Sequence, residues 1–285
     1  MKRLLLGLFC VLLSSAVLAT ADEDVAKRAE ASMLVTGSIV VAPDGSVQSY
    51  AVDHPEKLPS GVVAVIDRTV PTWKFDPVVI GGKVVVAKAT MSLRIVARQI
   101  GKGNFAVSVG STSFGNDVPG ENPSYRTQAP IKYPSAAVRD HAAGTVYLLI
   151  KINRQGRVED AAAEQVNLSV IGSDGAMQRW REVLAKAALT GARKWTFNLP
   201  TTGKRVADPY WIARIPVIFN LDGEYGHPRS EGYGQWQGYV PGPQQMIPWL
   251  DNSRLAAGSV DAMPDGGLLL LDSDGLRLKK PLGGT

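Results

Sequence analysis

One pattern of strands and turns occurs twice in the 285-residue chain and limits the folds open to it. From Met33 an alternating and then continuous apolar run ends at Asp44-Gly45, which is strong turn chemistry. From Gly144 a similar run ends at Gln155-Gly156. Each copy continues with a β-rich stretch, a helical stretch, a Trp-x-Phe motif and a further strand. The order predicts the α+β class, with two tandem modules that each pack a small antiparallel sheet on one helix.

Two helices and two aromatic motifs follow from this pattern. Residues 59–69 form the weaker helical stretch, and residues 177–193 form an amphipathic helix with apolar side chains at helical spacing. The aromatic motifs are Trp73 with Phe75 and Trp195 with Phe197. In a strand, residues two apart lie on one side, so each pair can cover its helix. We expect these aromatic side chains to pack in the cores.

Composition sets the boundaries of the modules. Residues 30–112 are predicted to form the first module and residues 131–222 the second. Between them, residues 113–130 are rich in Gly, Pro and Asn, which is typical of a linker. Residues 223–285 are predicted to form an irregular Gly/Pro/aromatic tail that ends in a hairpin turning at Asp274-Gly275. Its aromatic residues are expected to pack against a module, with a stacking surface for glycan or peptide as the alternative.

The first 21 residues have the features of a secretory signal peptide. Lys2-Arg3 is a short basic head, residues 4–18 are apolar, and Ala19-Thr20-Ala21 offers a small-x-small cleavage site. The alternative is an uncleaved inner-membrane anchor. Removal of this segment also removes Cys10, the one cysteine, which excludes disulfides and thiol chemistry from the mature chain. It lowers the formal net charge from +5 to +3, which indicates neither nucleic acid nor anionic lipid as a partner.

Enzyme chemistry finds little support in the sequence. There is no HExxH, GxSxG or GxxxxGK[ST] motif. His54, His141 and His227 lie in unrelated segments without the spacing of a metal site or triad. The acidic fragment at residues 272–275 lacks the remaining ligands of a calcium loop. We therefore predict no catalytic residue, metal, cofactor or small-molecule substrate, and we keep an unrecognised hydrolase as a remote alternative.

The second module resembles the C-terminal domain of TonB, the periplasmic energy transducer of Gram-negative bacteria. The resemblance begins at Tyr133-Pro134 and continues through Gly144-x-Val146 and Gly156-x-Val158. It then includes Trp195-x-Phe197 and the apolar strand that ends at Phe219. The first module resembles a diverged copy of the same unit, with Trp73-x-Phe75 as its clearest signature.

The resemblance implies a periplasmic protein whose sheet edge pairs with an extended peptide of an outer-membrane TonB-dependent receptor or another envelope protein, in support of TonB-dependent transport. In this mode main-chain hydrogen bonds supply the affinity. A transducer needs a retained membrane helix and a long Pro-rich spacer, whereas the apolar stretch of this chain is expected to be cleaved and its sequence contains no Pro/Lys or Pro/Glu repeat. The alternative function is an envelope scaffold that self-associates through the same edges, as a homodimer, without energy transduction.

Pro216 indicates where the edge lies. Proline cannot donate to a strand ladder and is tolerated mainly on edge strands, so the strand at residues 211–221 is predicted to be an edge. The predicted docking residues are Arg214, Ile215, Pro216, Val217, Ile218 and Phe219. The competing possibility is that residues 268–279 fold back and cover this edge.

Overall fold

The computed structural model describes residues 28–101, 103–115, 118–221, 233–250, 261–263, 267–271 and 276–280. The predicted signal peptide, Cys10, His227, the acidic fragment at residues 272–275 and the predicted turn at Asp274-Gly275 lie outside the described residues. None of the helices in the described part of the chain has the length and apolar character needed to span a bilayer.

Thirteen strands and three α-helices make up the regular structure of these residues. The first group is β1 (Glu30–Val41), β2 (Val47–Val52), α1 (Ser60–Thr69), β3 (Val79–Ile80), β4 (Lys83–Val84), β5 (Ala87–Gly101) and β6 (Asn104–Gly115). The second group is β7 (Ser124–Thr127), α2 (Ser135–Arg139), β8 (Gly144–Asn153), β9 (Val158–Leu168), α3 (Asp174–Ala192), β10 (Thr196–Asn198) and β11 (Tyr210–Phe219). The tail adds β12 (Gln237–Tyr239) and β13 (Leu269–Leu270).

The first sheet is antiparallel in the order β12-β1-β5-β6, with β2 paired beside β12 on the same side of β1. Helix α1 turns Val62, Val65 and Ile66 inward. Trp73 and Phe75 complete this core, and both are buried. The predicted helix at residues 59–69 and the predicted core position of both aromatics agree with this arrangement.

The second sheet is antiparallel in the order β13-β11-β8-β9, and α3 lies across one face. Met177, Leu184, Ala188 and Ala192 are the buried residues of α3. Trp195 and Phe197 are buried in the same core. The elements that the sequence indicated here, a strand hairpin, a helix, an aromatic motif and a last strand, occur in the predicted order.

The two halves use the same contact to close their strand turns. The Phe75 N–H donates to the Gly45 carbonyl at 2.8 Å, and the Phe197 N–H donates to the Gly156 carbonyl at 2.7 Å. Both glycines have positive φ, 81° and 70°. A Cβ atom there would lie 2.1 Å from the Phe75 oxygen and 2.2 Å from the Phe197 oxygen. Glycine is therefore required at both turns by conformation and by space.

The stretch predicted as a linker contains ordered strand structure. Strand β6 extends to Gly115, and β7 pairs with β10 of the second half, Tyr125 standing opposite Phe197. A strand as short as the four residues of β7 cannot be recognised in a Gly/Pro-rich sequence, because four residues are too few to show the alternating hydrophobic period of a strand.

The predicted terminal hairpin is also corrected by the structure. Among the described residues its two arms do not pair with each other: β13 pairs with β11, whereas Leu278 pairs with Phe75. Each arm buries leucine in a different core, Leu270 in the second and Leu276 in the first. Apolar burial in two separate cores thus replaces the local hairpin.

Candidate functional site: the outward edge of strand β11

Strand β11 is apolar on both faces because both faces are covered. The odd-numbered residues from Trp211 to Phe219 lie in the core beneath α3. On the opposite face Ile212 packs with Leu149 of β8 and with Ile247 and Leu250 of the tail. The side chains of Ile215, Val217 and Phe219, which the sequence placed in the docking strand, therefore belong to the core.

The direction of the main-chain N–H and C=O groups of β11 determines which of them are open to a further strand. On one side β11 pairs with β8 along its whole length, and Pro216 stands opposite Tyr147. On the other side the Leu271 N–H donates to the Ile212 carbonyl at 3.0 Å. Alternate residues of an antiparallel strand point their N–H and C=O groups to the same side, so Arg214, Pro216 and Ile218 also point away from β8. The missing donor of Pro216 thus falls on the outward side and removes no bond to β8.

The tail occupies the first half of this outward edge. Strand β13 pairs Leu269 with Arg214 and Leu270 with Ala213. Beyond Arg214, no residue that the structure describes pairs with the outward groups of Pro216 and Ile218. The competing sequence possibility, coverage by the tail, therefore holds for half of the edge, and Arg214 is not brought to the uncovered half.

The uncovered half opens on a cleft between the two sheets. The cleft has a volume of about 480 Å³ and is lined by Pro216 and Ile218 on one wall and by Arg94 and Tyr239 on the other. Arg94 Nε donates to the Asp261 carbonyl at 2.8 Å. Burial and the hydrogen bond from its hydroxyl to Glu30 raise the pKa of Tyr239. Tyr239 therefore keeps its proton at a pH where an exposed tyrosine would lose it.

A buried ion pair fixes the outer face of β11. Arg214 Nε lies 2.7 Å from Glu164 Oε2, and Arg214 Nη2 lies 2.8 Å from Glu164 Oε1. Both side chains are at most 2% exposed, and Gln244 Nε2 adds a third donor to the carboxylate at 3.1 Å. Sequence reasoning missed this pair. A single charge inside an otherwise apolar strand was the available signal, because a buried arginine needs a partner.

Residues 240–250, here called the strap, close the other edge of the sheet. Val240 and Leu168 exchange main-chain hydrogen bonds of 2.7 and 3.1 Å, and the Gln245 N–H donates to the Glu164 carbonyl at 2.8 Å. The Gly242 N–H donates to Asn167 Oδ1 at 3.1 Å. The strap therefore occupies β9 from Glu164 to Leu168.

The residues that carry the family resemblance make contacts that support the fold of the second sheet. The Tyr133 hydroxyl donates to the Ala142 carbonyl at 2.6 Å, and its ring packs edge-on against Phe219. Pro134 precedes α2 as its N-cap residue. Gly144 begins β8 where a Cβ atom would lie 2.2 Å from the Asn167 oxygen. Tyr133 and Pro134 support the sheet away from the cleft, whereas the backbone of Gly144 forms part of the cleft lining.

The histidines and acidic residues of the described part of the chain do not gather into a metal-binding group. No group of three His, Cys, Asp or Glu side chains in this part of the chain could hold a metal ion. His54 and His141 are turn residues with positive φ, 46° and 52°. Three aromatics in the described part of the tail pack on the protein, Tyr233 and Trp236 on the first core and Trp249 beside Ile247 on the second sheet.

Comparisons with known proteins agree with the geometry of the second half. Residues 129–221 match the family model described as the Gram-negative bacterial TonB protein C-terminal. Proteins named "Protein TonB" from two strains of Xanthomonas campestris pv. campestris are 33% identical over 100 residues, which is 35% of this chain. The aligned part is 38% of each relative, well under two thirds of its length. No solved structure matches the chain. The chain therefore carries, at residues 129–221, a domain of the TonB C-terminal family.

Proposed function

We propose that the protein is a periplasmic binding protein that docks an extended segment of an outer-membrane receptor, or of another envelope protein, on the outward edge of β11. The observation that carries this proposal is the uncovered half of that edge. There the N–H of Ile218 and the carbonyls of Pro216 and Ile218 face a cleft, and none pairs with a described strand. An added strand would use these groups.

The arrangement of the tail supports the choice of this edge. The strap occupies the β9 edge from Glu164 to Leu168, and the outer face of the sheet is covered by Ile247 and Leu250. An incoming peptide thus finds main-chain groups in the cleft, next to β13. Pro216 limits the number of new bonds by one, about 1 kcal/mol, which also restrains self-pairing.

Strand β13 is a built-in competitor for the same edge. Its two residues follow the line that an added peptide would take along Arg214 and Ala213. A short peptide would pair beyond β13, and a longer peptide would have to displace it. We infer that release of β13 lengthens the uncovered edge of β11 and raises its affinity for an extended peptide.

The first half of the chain is, in this proposal, a diverged copy of the same domain. Its sheet repeats the neighbour order β5-β1-β2 that the second half has as β11-β8-β9. The matched Gly45–Phe75 and Gly156–Phe197 hydrogen bonds support the relation. In the first half, however, β6 pairs along β5 and takes the edge that corresponds to β11. Docking at this edge is therefore assigned to the second half alone.

Isothermal titration tests the docking of a strand. The first probe is a synthetic peptide of residues 266–273 with added lysines for solubility, since this stretch contains β13 itself. The second probe is an extended peptide from an outer-membrane receptor. Leu269→Pro removes the main-chain donor of β13 that faces Arg214, and we expect it to raise the affinity for both peptides at least tenfold, about 1.4 kcal/mol. Leu269→Ala keeps the donor and is the matched control.

The alternative function is a scaffold that self-associates through the same edge. The parent protein and its variants also distinguish this function from peptide docking. Sedimentation velocity of Pro216→Val, which restores an outward donor, reports dimer formation. If no peptide binds to the parent protein, to Leu269→Pro or to Pro216→Val, docking is refuted. A dimer of Pro216→Val in that case leaves the scaffold as the function.

A further inference from the structure

The β3–β4 hairpin exposes a group of aliphatic side chains and shares no strand pairing with the β11 edge. Val79, Ile80, Val84 and Val86 are 54%, 66%, 52% and 55% exposed. Elsewhere in the described residues only Ile100 and Met246 are large hydrophobic side chains with more than half of their surface exposed. A local group of exposed aliphatics marks an interaction site, whereas single ones need no explanation. Residues 78–86 are called the apolar hairpin below.

The apolar hairpin stands apart from both main sheets. Its two strands form a sheet of their own, with Val79 opposite Val84 and Ile80 opposite Lys83. A Cβ atom at Gly81 or at Gly82 in the tip would meet nothing within 4 Å. An isolated two-stranded hairpin is marginally stable in water. A surface that covers its side chains would therefore also stabilise it.

Basic residues surround the root of the apolar hairpin. Residues 276–280 lie antiparallel to residues 74–76, since the Asp76 N–H donates to the Arg277 carbonyl and the Lys279 N–H donates to the Lys74 carbonyl, each at 2.9 Å. The basic cluster of these segments and the hairpin is Lys74, Lys83, Lys88, Arg277, Lys279 and Lys280, all exposed. Asp76 is the one acidic residue in residues 74–90 and 276–280.

The net charge of these two segments equals that of the whole sequence, +5. The modest overall charge, which alone indicated no anionic lipid, therefore conceals a local concentration. None of the six cations forms an ion pair with another residue that the structure describes. Lys74 interacts with the nearby Asp44 carboxylate, and the other five cations are available to an external anionic surface.

We propose that the apolar hairpin and the basic cluster together bind the surface of an anionic phospholipid bilayer. The tip extends about three residues beyond the Val78–Val85 pair, a reach of about 10 Å. That reach matches the depth at which peripheral segments bury apolar side chains below lipid headgroups. The outer main-chain groups of the hairpin keep it at this hydrated level, because a bilayer core would leave them unsatisfied. The basic residues at the root of the hairpin then lie among the lipid phosphates, and the long side chain of Lys83 near the tip can extend back toward them.

Two observations favour lipid over a second copy of the chain. Val79, Val84 and Val86 share one face and Ile80 lies on the other, so both faces are aliphatic, and Lys83 is the one hydrogen-bonding side chain from Val78 to Val86. A fluid apolar phase requires no directional partner, whereas a protein interface normally uses some. Two copies would also bring two clusters of like charge together, which opposes association.

Vesicle flotation with the full chain tests the proposal. We expect binding to vesicles of equal parts phosphatidylglycerol and phosphatidylcholine, and at least tenfold weaker binding to phosphatidylcholine alone. Val79→Ser/Val84→Ser should lower the affinity for the mixed vesicles at least tenfold, about 1.4 kcal/mol. Lys279→Gln/Lys280→Gln should lower it and weaken its salt dependence. Met246→Ser, at a side chain 80% exposed on the tail, is the matched control and should bind as the parent does.

A fluorescence measurement keeps the test independent of variant folding. Ile80→Cys, labelled with a polarity-sensitive dye in a Cys10→Ser background, should shift to the blue on mixed vesicles, and Ile171→Cys should not. The proposal is overturned if the parent does not float, if the serine variant floats equally, or if the Ile80 label reports water on the vesicles. It is also overturned if sedimentation shows a dimer that the serine variant abolishes, because the second copy is then the occupant.

Discussion

At the scale of single residues, Tyr125 shows how burial without a partner affects the response to pH. Its hydroxyl group is buried and has no hydrogen-bond partner among the residues that the structure describes, while its ring packs against Trp195 and Phe197. Burial raises the pKa of Tyr125 from 10.0 to about 12. Above pH 10 the unfolded chain loses this proton and the folded chain keeps it, so stability falls as the pH rises through this window.

Tyr125→Phe is therefore expected to reduce the loss of stability between pH 10 and pH 12, by about 1 kcal/mol because the tyrosine as a whole is only partly buried. Near pH 7 the variant should be as stable as the parent or slightly more stable, because it removes an unsatisfied buried hydroxyl. Urea titrations of the parent and the variant at pH 7, pH 10 and pH 12 measure these differences in stability. A clear loss of stability near pH 7 would show that the hydroxyl has a partner.

The Arg214–Glu164 pair gives a second prediction at this scale. Arg214→Met leaves a buried carboxylate with Gln244 as its remaining side-chain partner, and we expect a loss of about 3–5 kcal/mol in the free energy of unfolding. The double variant Arg214→Met/Glu164→Leu removes both charges and should recover most of that loss. Lys151→Met is the matched control, because its partner Glu159 is half exposed and the pair is worth about 0–1 kcal/mol.

The double-mutant cycle by urea denaturation decides what this pair contributes. Recovery in the double variant means that the pair mainly avoids an uncompensated charge. If the double variant is as unstable as the single one, the hydrogen bonds of the pair carry stability that apolar packing does not replace.

At the scale of elements, the sequence predicted what is local. Helix α3 was predicted from residue 177, the first apolar position of its period, but it begins at Asp174. The Ser173 hydroxyl accepts a hydrogen bond from the Ala176 N–H, so capping extends the helix by one turn before its apolar face starts. The two turn glycines were predictable for the same local reason, since Asp-Gly and Gln-Gly interrupt apolar runs.

Elements that depend on distant partners could not be predicted in this way. Pro216 indicated an edge strand from its own chemistry. In the described part of the chain the tail covers this edge at Ile212, Ala213 and Arg214 and leaves Pro216 and Ile218 uncovered, which depends on residues more than fifty positions away in the sequence. Strand β7 and the strap were unpredictable for the same reason. Short Pro-rich stretches have no hydrophobic period, and they take their structure from the sheet edges that they contact. For the candidate site, therefore, the strand was predictable and its coverage was not.

At the scale of the whole molecule, the tail connects the two halves. Strand β12 pairs with β1, and the next residue, Val240, pairs with Leu168 of the second sheet. Asp261 then accepts hydrogen bonds from Arg94 and Ser111 of the first sheet. Strand β13 returns to the second sheet, and Leu278 pairs with Phe75 in the first. Each passage between the sheets adds a connection that is independent of the stretch at residues 113–130.

This alternation changes the expected result of cutting the chain between its halves. Composition alone predicts that residues 113–130 join separable modules, whereas the tail contacts predict one cooperative unit.

We expect a protein cut at a protease site introduced between residues 118 and 123 to elute as one species in native buffer and to unfold in one transition. The same cut in a chain that lacks residues 222–285 should release two fragments, because the crossings that the tail makes are gone and direct contacts such as the exposed Arg28–Asp174 pair and Ala29 on the second core are too small to hold the halves together. Size-exclusion chromatography and calorimetry of the four proteins, cut and uncut with and without the tail, measure this. Fragments that separate while the tail is present would show that the halves are independent, as their composition alone predicts.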